Sequence, residues 1–353
     1  MLPGSRSRIR RGPLSASASA GRAALPALAL LTLLGPLSAA GVVGSASASP
    51  APRGAADRAA PVMPLGERVR FGADVAGADL DLTRVSAFEQ LVGHRVELLP
   101  VSWRYGDDVP EAADLLLAAS GGQTLVVAWD LSAARFADWA SGDLDRYLEL
   151  VGAALRSQPG PVYLRPWPEM NGDWQTYQPT PDGERPRGGT YAEFRAAWRH
   201  VVERVDAASA GRARWVFSPS AATRPGTTPV GRIWPGDDVV DVLGIDAFNW
   251  GESVGSGRWR SFARIVDGQY RRLTALDATA PVWITAVGSK EPRTDDGAPV
   301  DAGHSKADWV RDLLADRALP RIEGLIWAQR RAERDWRIDS SPGSLRAFRR
   351  GIG

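Results

Sequence analysis

Val239-Val240-Asp241-Val242-Leu243-Gly244-Ile245-Asp246-Ala247, then Phe262-Ala263-Arg264-Ile265-Val266-Asp267-Gly268-Gln269-Tyr270-Arg271-Arg272-Leu273-Thr274-Ala275-Leu276, then Val282-Trp283-Ile284-Thr285: an apolar run, a helical segment and a second apolar run. A strand that is apolar along almost its whole length is one covered on both faces, as in a parallel sheet. The unit is therefore strand–helix–strand, and it continues in both directions. Before it, strands are expected at Arg68 to Val75, Val96 to Trp103, Thr124 to Trp129, Pro161 to Pro166 and Arg214 to Ser218. Helices are expected at Asp81 to Val92, Pro110 to Ala119, Asp143 to Ser157 and Tyr191 to Ala208, the last with apolar positions at helical spacing. After it come a helix at Ser305 to Leu314 and a strand at Ile322 to Trp327. Residues 221–238 read as a Pro/Gly-rich loop. Strands alternating with helices in this way predict an α/β fold, a (β/α)8 TIM barrel forming a single domain over residues 65–353. An open doubly wound sheet would carry a glycine-rich phosphate turn after its first strand. The run Phe71-Gly72-Ala73-Asp74-Val75-Ala76-Gly77 lacks that fingerprint.

The segment ahead of the barrel reads as a processed leader. Arg6, Arg8, Arg10 and Arg11 form a basic region, an apolar stretch runs from Ala23 to Val43, and Ser-Ala repeats at 45–49 supply cleavage sites. Residues 1–48 are expected to be a signal peptide and residues 49–64 a flexible Pro/Ala linker. The expected location is secreted, with no membrane association after cleavage; an uncleaved anchor is the alternative. The chain has no cysteine, which excludes disulfides, thiolate metal sites and a cysteine nucleophile. Its histidines, His94, His200 and His304, match no metal-ligand spacing, so neither a metal nor a cofactor is expected. A formal charge of +2 with much of the basicity in the leader gives no nucleic-acid stripe. A monomer is expected.

In a barrel of this kind the active site forms at the C-terminal ends of the strands. Those ends carry Asp74, Trp103, Asp130, Glu169, Ser218, Asp246, Phe248, Ala286 and Trp327. Acidic groups accept hydroxyl hydrogen bonds and indole faces cover the C–H faces of a pyranose, so the set suits a polysaccharide or oligosaccharide. Most of the 14 tryptophans are expected to be packing residues. Trp103, Trp129, Trp174, Trp250 and Trp327 are singled out because they lie at or just past strand ends. Glu169 follows Pro166-Trp167-Pro168, where regular strand pairing has ended. A carboxyl set among Trp167, Met170 and Trp174 is desolvated, which raises its pKa toward the range a general acid needs.

Five segments then resemble one family. Arg165-Pro166-Trp167-Pro168-Glu169-Met170-Asn171-Gly172-Asp173-Trp174 resembles the acid/base motif of glycoside hydrolase family 26, the family of secreted β-1,4-mannanases. Trp234 to Asn249, Pro281 to Ser289, Gly303 to Trp309, and Gly324 to Trp327 with Asp335 to Ser341 are similar, in order, to later segments of that family. The resemblance implies a TIM barrel, a β-linked polysaccharide ligand such as β-mannan, Glu169 as acid/base, and a nucleophile glutamate at position 286. It also implies substrate-binding positions at Asn171, Trp174, Asp246 and Phe248.

The departures fall on that chemistry. Position 286 is alanine, the family's histidine before the acid/base is Pro168, and its tyrosine near the nucleophile is Phe248. Hydrolysis with retention needs two carboxyl groups about 5 Å apart. The expectation is a scaffold that binds a β-linked glycan and hydrolyses it weakly or not at all, Trp103, Trp129 and Trp327 adding to the sugar-binding walls. One alternative is an active mannanase-like endo-glycosidase using Glu291 or Asp246 as a substituted carboxylate, or inverting with a water between Glu169 and Asp246, Asp74 or Asp130. Another is a structural role in handling cell-surface polysaccharide.

Overall fold

The computed structural model describes residues 62–78, 81–106, 121–253, 257–293 and 300–353. The expected leader, the linker up to residue 61 and the helix expected at Pro110 to Ala119 lie outside the described residues. Eight parallel strands close on themselves in sequence order: β1 (Arg70–Val75), β2 (Leu98–Arg104), β3 (Thr124–Asp130), β4 (Val162–Pro166), β5 (Ala213–Phe217), β6 (Val242–Asn249), β7 (Val282–Ser289) and β8 (Ile322–Gln329). Closure is made by β1 on β8, with Gly72 opposite Ile326 and Asp74 opposite Ala328. The chain is thus a (β/α)8 TIM barrel.

Helices between the strands cover the outside: α1 (Leu65–Arg68), α2 (Thr83–Val92), α3 (Phe136–Ser141), α4 (Asp145–Arg156), α5 (Tyr191–Ser209), α6 (Val230–Ile233), α7 (Phe262–Leu276), α8 (Lys306–Leu314) and α9 (Pro342–Gly351). Helix α5 shows why such segments fold locally. The Thr190 hydroxyl accepts from Glu193 N at 3.2 Å, and Glu193 Oε2 accepts from Thr190 N at 2.6 Å, so two otherwise unpaired N-terminal donors are satisfied. Phe194, Ala197, Trp198, Val201 and Val205 then bury one stripe. Residues 221–238, expected to be loop throughout, contain α6. The short α3 and the C-terminal α9 also depart from the sequence-based expectation.

The lumen is a separate layer from the strand–helix interface. Leu98, Val126, Val216, Val242, Trp283 and Ile326, one from each of six strands, pack together with Tyr163 of β4. The Trp283 ring lies 4.5 Å from that of Tyr163. Gly324 leaves room for it, because a Cβ there would sit 2.7 Å from the indole. The lumen is therefore filled toward its lower end, and among the described residues the large cleft lies at the upper, C-terminal mouth. Among the described residues no helix is long and apolar enough to cross a membrane.

Candidate active site

Strand β4 delivers two groups to the mouth by different routes. Arg165 is still in the strand and points across the barrel. Its Nη2 donates to Asp246 Oδ1 at 2.7 Å and Oδ2 at 2.8 Å, its Nε to Ser218 Oγ at 3.1 Å, and its Nη1 to the Thr285 carbonyl at 3.2 Å. The Thr285 hydroxyl donates to Asp246 Oδ1 at 2.6 Å. One guanidinium thus ties β4 to β6, β7 and the end of β5. Arg165 and Asp246 are 4% and 6% exposed, so neither charge is compensated by water and each depends on the other.

Beyond Pro166 the backbone turns sharply. Trp167 and Glu169 both adopt left-handed conformations, with φ of 49° and 56°. Such conformations cost about 1–3 kcal/mol each for residues with side chains. Burial of Trp167 among Phe136, Trp139, Phe194 and Trp198 opposes that cost. So do hydrogen bonds from Trp167 N to the Trp129 carbonyl at 3.0 Å and from Glu169 N to the Ser218 carbonyl at 2.9 Å. The Tyr177 hydroxyl closes the turn by donating to the Pro168 carbonyl at 2.5 Å. The turn lifts the Glu169 side chain off the strand and into the mouth.

The mouth is a cleft of about 1340 Å³. Glu169, Trp174, Asp246, Phe248 and Ala286 all line it. The Trp174 indole N–H donates to Glu169 Oε2 at 3.1 Å. The Glu169 carboxyl is pushed up from 4.5 to about 7, first by burial and then by the negative charge of Asp246. Hydrogen bonds from Trp174 and Ser220, and the charge of Arg165, hold it back from rising further. Ala286 is the register partner of Asp246, across a bulge at Ile245/Asp246. Sequence reading ends the seventh strand at Thr285; β7 in fact runs on to Ser289, so position 286 is on a paired strand. Its partly exposed methyl faces the cleft that holds the Glu169 carboxyl. The Phe248 ring packs 4.9 Å from Trp336 and lies over Gly288, where a Cβ would come within 3.2 Å of it.

Four expected sugar-binding residues sit elsewhere. Asn171 is 1% exposed, and its amide is used as a clamp: Nδ2 donates to the Ser220 carbonyl at 3.0 Å and Oδ1 accepts from Ser220 N at 2.8 Å. Trp129 and Trp327 are fully buried, their indole N–H groups donating to the Tyr147 hydroxyl and the Trp336 carbonyl. Trp103 packs against the main core and does not line the cleft. Asn171, Trp129 and Trp327 are buried, whereas Trp103 is partly exposed but lies outside the cleft lining. Of the alternative carboxylates, Asp130 pairs with Arg104 outside the cleft. Glu291 accepts from the Ser340 hydroxyl at 2.7 Å and is likewise not part of the cleft wall. Asp74 does line it, 3.0 Å from Arg330 Nη1.

Tyr177, Ser220, Trp336 and six arginines beside Arg165 line the cleft without having been expected to. Only Trp336, inside the segment Asp335 to Ser341, had a sequence signal. Among the described residues no group of three potential ligands is placed to hold a metal ion.

Residues 137–296 match the family model for glycosyl hydrolase family 26. Over 292 residues, 81% of the chain, the sequence is 28% identical to Endoglucanase H of Acetivibrio thermocellus. The chain spans only 30% of the length of that protein. A mannanase from Bacillus subtilis shares the fold with a TM-score of 0.55 at 18% identity, over 81% of this chain and 86% of that one. An endo-β-1,4-mannanase double mutant from Cellulomonas fimi superposes with a TM-score of 0.55 at 17% identity, over 82% and 71% of the two chains.

Proposed function

The chain belongs to glycosyl hydrolase family 26, and from that premise we propose that its cleft binds a β-linked polysaccharide such as β-mannan and cleaves it poorly or not at all. The named relatives are an endoglucanase and mannanases, which supports a β-linked backbone. One observation carries the reading: the methyl of Ala286 lies in the same cleft as the raised Glu169 carboxyl. A carboxyl near 7 is protonated over much of the range below neutrality and is suited to donate to a leaving glycosidic oxygen. Retention also requires a carboxylate about 5 Å from it to attack the anomeric carbon. Asp246 does not supply one freely, because both of its oxygens are held by Arg165 and one also by Thr285.

A second reading rests on Asp74, whose carboxylate lines the same cleft with its side chain 32% exposed. An inverting hydrolase places its base about 6.5–9.5 Å from the acid with a water between. Under either reading the protein acts outside the cell, residues 1–48 being removed as a signal peptide.

The test pairs affinity electrophoresis with reducing-sugar release on mannan, β-glucan and xylan. Retardation by at least one glycan without release supports the binding reading. Release that Glu169→Gln abolishes overturns it in favour of an enzyme. N-terminal sequencing of the mature protein tests the cleavage near residue 48.

A further inference from the structure

One rim of the cleft carries charge that a neutral polysaccharide has no use for. Arg258, Arg260 and Arg264 line it, all three exposed, on the segment that leads from β6 into α7. Among the described residues none of their guanidinium groups has an ion pair or a hydrogen bond. Elsewhere on the cleft the arginines are matched: Arg165 by Asp246, Arg330 by Asp74, Arg224 by Asp173 and Arg331 by Asp335. The acids do not offset the excess. Glu169 is uncharged over much of the range below about 7, Asp246 and Asp74 are already paired, and Glu333 sets one carboxylate on the wall against the three arginines.

The arginine segment is also held in place. The buried Asn249 side chain accepts from Arg260 N and from Gly251 N at 3.3 Å each, and its Nδ2 donates to Ser289 Oγ at 2.9 Å. From the other side the Trp309 indole donates to the Arg260 carbonyl at 2.8 Å. Three guanidinium groups on an anchored backbone at a cleft edge form a standing positive field, and a cleft with low-dielectric walls concentrates it. Guanidinium is the side chain that pairs with carboxylate and sulfate in two-point geometry.

We propose that the glycan taken by this cleft is anionic, a β-linked chain bearing carboxylate or sulfate groups that lie against Arg258, Arg260 and Arg264. The proposal rests on the glycan reading above and adds its charge. An exposed pair of this kind changes affinity by about two- to fivefold, so the three together are worth on the order of tenfold at low salt. Screening at about 1 M salt, where the Debye length is about 3 Å, should remove most of it.

The experiment measures affinity of the full chain for two matched pairs: mannan against poly-β-1,4-mannuronate, and hydroxyethyl cellulose against carboxymethyl cellulose. Sulfated mannan separates sulfate from carboxylate recognition, and polyglutamate is the non-glycan polyanion. The expected result is binding about tenfold tighter to a charged member than to its neutral partner, lost in high salt. The variant R258S/R260S/R264S, with an unchanged melting curve, should lose the preference itself, binding the charged member no tighter than its neutral partner. Equal affinity for charged and neutral members overturns the anionic preference while the glycan reading stands. Polyglutamate binding as tightly as mannuronate overturns it also, as bare polyanion attraction. Binding to no glycan at all overturns both.

Discussion

Replacing Glu169 by glutamine should remove a pH dependence from the stability of the fold. In the folded chain its carboxyl sits at about 7 against 4.5 for an unperturbed glutamate, with burial the larger cause and Asp246 the second. A group whose folded pKa is raised keeps its proton where the unfolded chain has already released it. Stability is therefore fully present below about 4.5, falls as pH rises toward 7, and stays at the lower level above. At about 1.4 kcal/mol per pH unit the loss is roughly 3 kcal/mol; water reaching the half-buried side chain brings the expected figure to about 2–3 kcal/mol. Glu169→Gln has no such titration. Urea unfolding of both proteins from pH 4 to pH 8 should give a wild-type-minus-variant difference that drops by that amount, with the change centred between pH 4.5 and 7. Because Trp174 donates its indole N–H to Glu169 Oε2, its indole 15N resonance should titrate over the upper part of that range. A difference constant to within about 0.5 kcal/mol, comparable with extrapolation error, would refute the desolvated setting of the carboxyl.

Two substitutions probe the same network. Trp174→Phe removes a donor that favours the ionised form, so the Glu169 midpoint should move up, read by 13C-carboxyl NMR. Asp246→Asn leaves the Arg165 charge buried and unpaired and should cost about 3–5 kcal/mol in urea unfolding. The same change takes a negative charge from beside Glu169, so its midpoint should fall.

The strands were legible because each is an apolar run covered on both faces, as Val282-Trp283-Ile284 and Leu243-Gly244-Ile245 show. Helix α7 was legible to the residue. The end of β7 was not, since Ala286, Gly288 and Ser289 break the apolar run while the backbone pairing continues to Asn249↔Ser289. The Glu169 motif was legible as a string, but of the rings expected to desolvate it Trp167 packs into the helical layer and Trp174 instead donates a hydrogen bond to the carboxylate. What a linear reading lacked was which face of a strand end a side chain leaves from. Trp129 and Trp327 end strands as well as Phe248 does, but they turn outward into the helical layer and only Phe248 reaches the cleft. The Arg165–Asp246 pair joins residues 81 apart, and no local pattern announces it. The arginines of the rim were invisible for a different reason: in a chain so rich in arginine, only the fold tells which of them gather at one edge.

The proposed function needs Glu169 as a proton donor and position 286, on the same cleft, as the place that lacks the attacking carboxylate. Restoring it is the most direct measurement: Ala286→Glu combined with Phe248→Tyr, incubated with a β-linked mannan or glucan oligosaccharide that the cleft binds, and the anomer of the first-formed product read by 1H NMR. The predicted result is new or increased hydrolysis in which the β-anomer appears first and then equilibrates. Cleavage by the unaltered protein giving the inverted α-anomer first, with the double variant no faster, would contradict it.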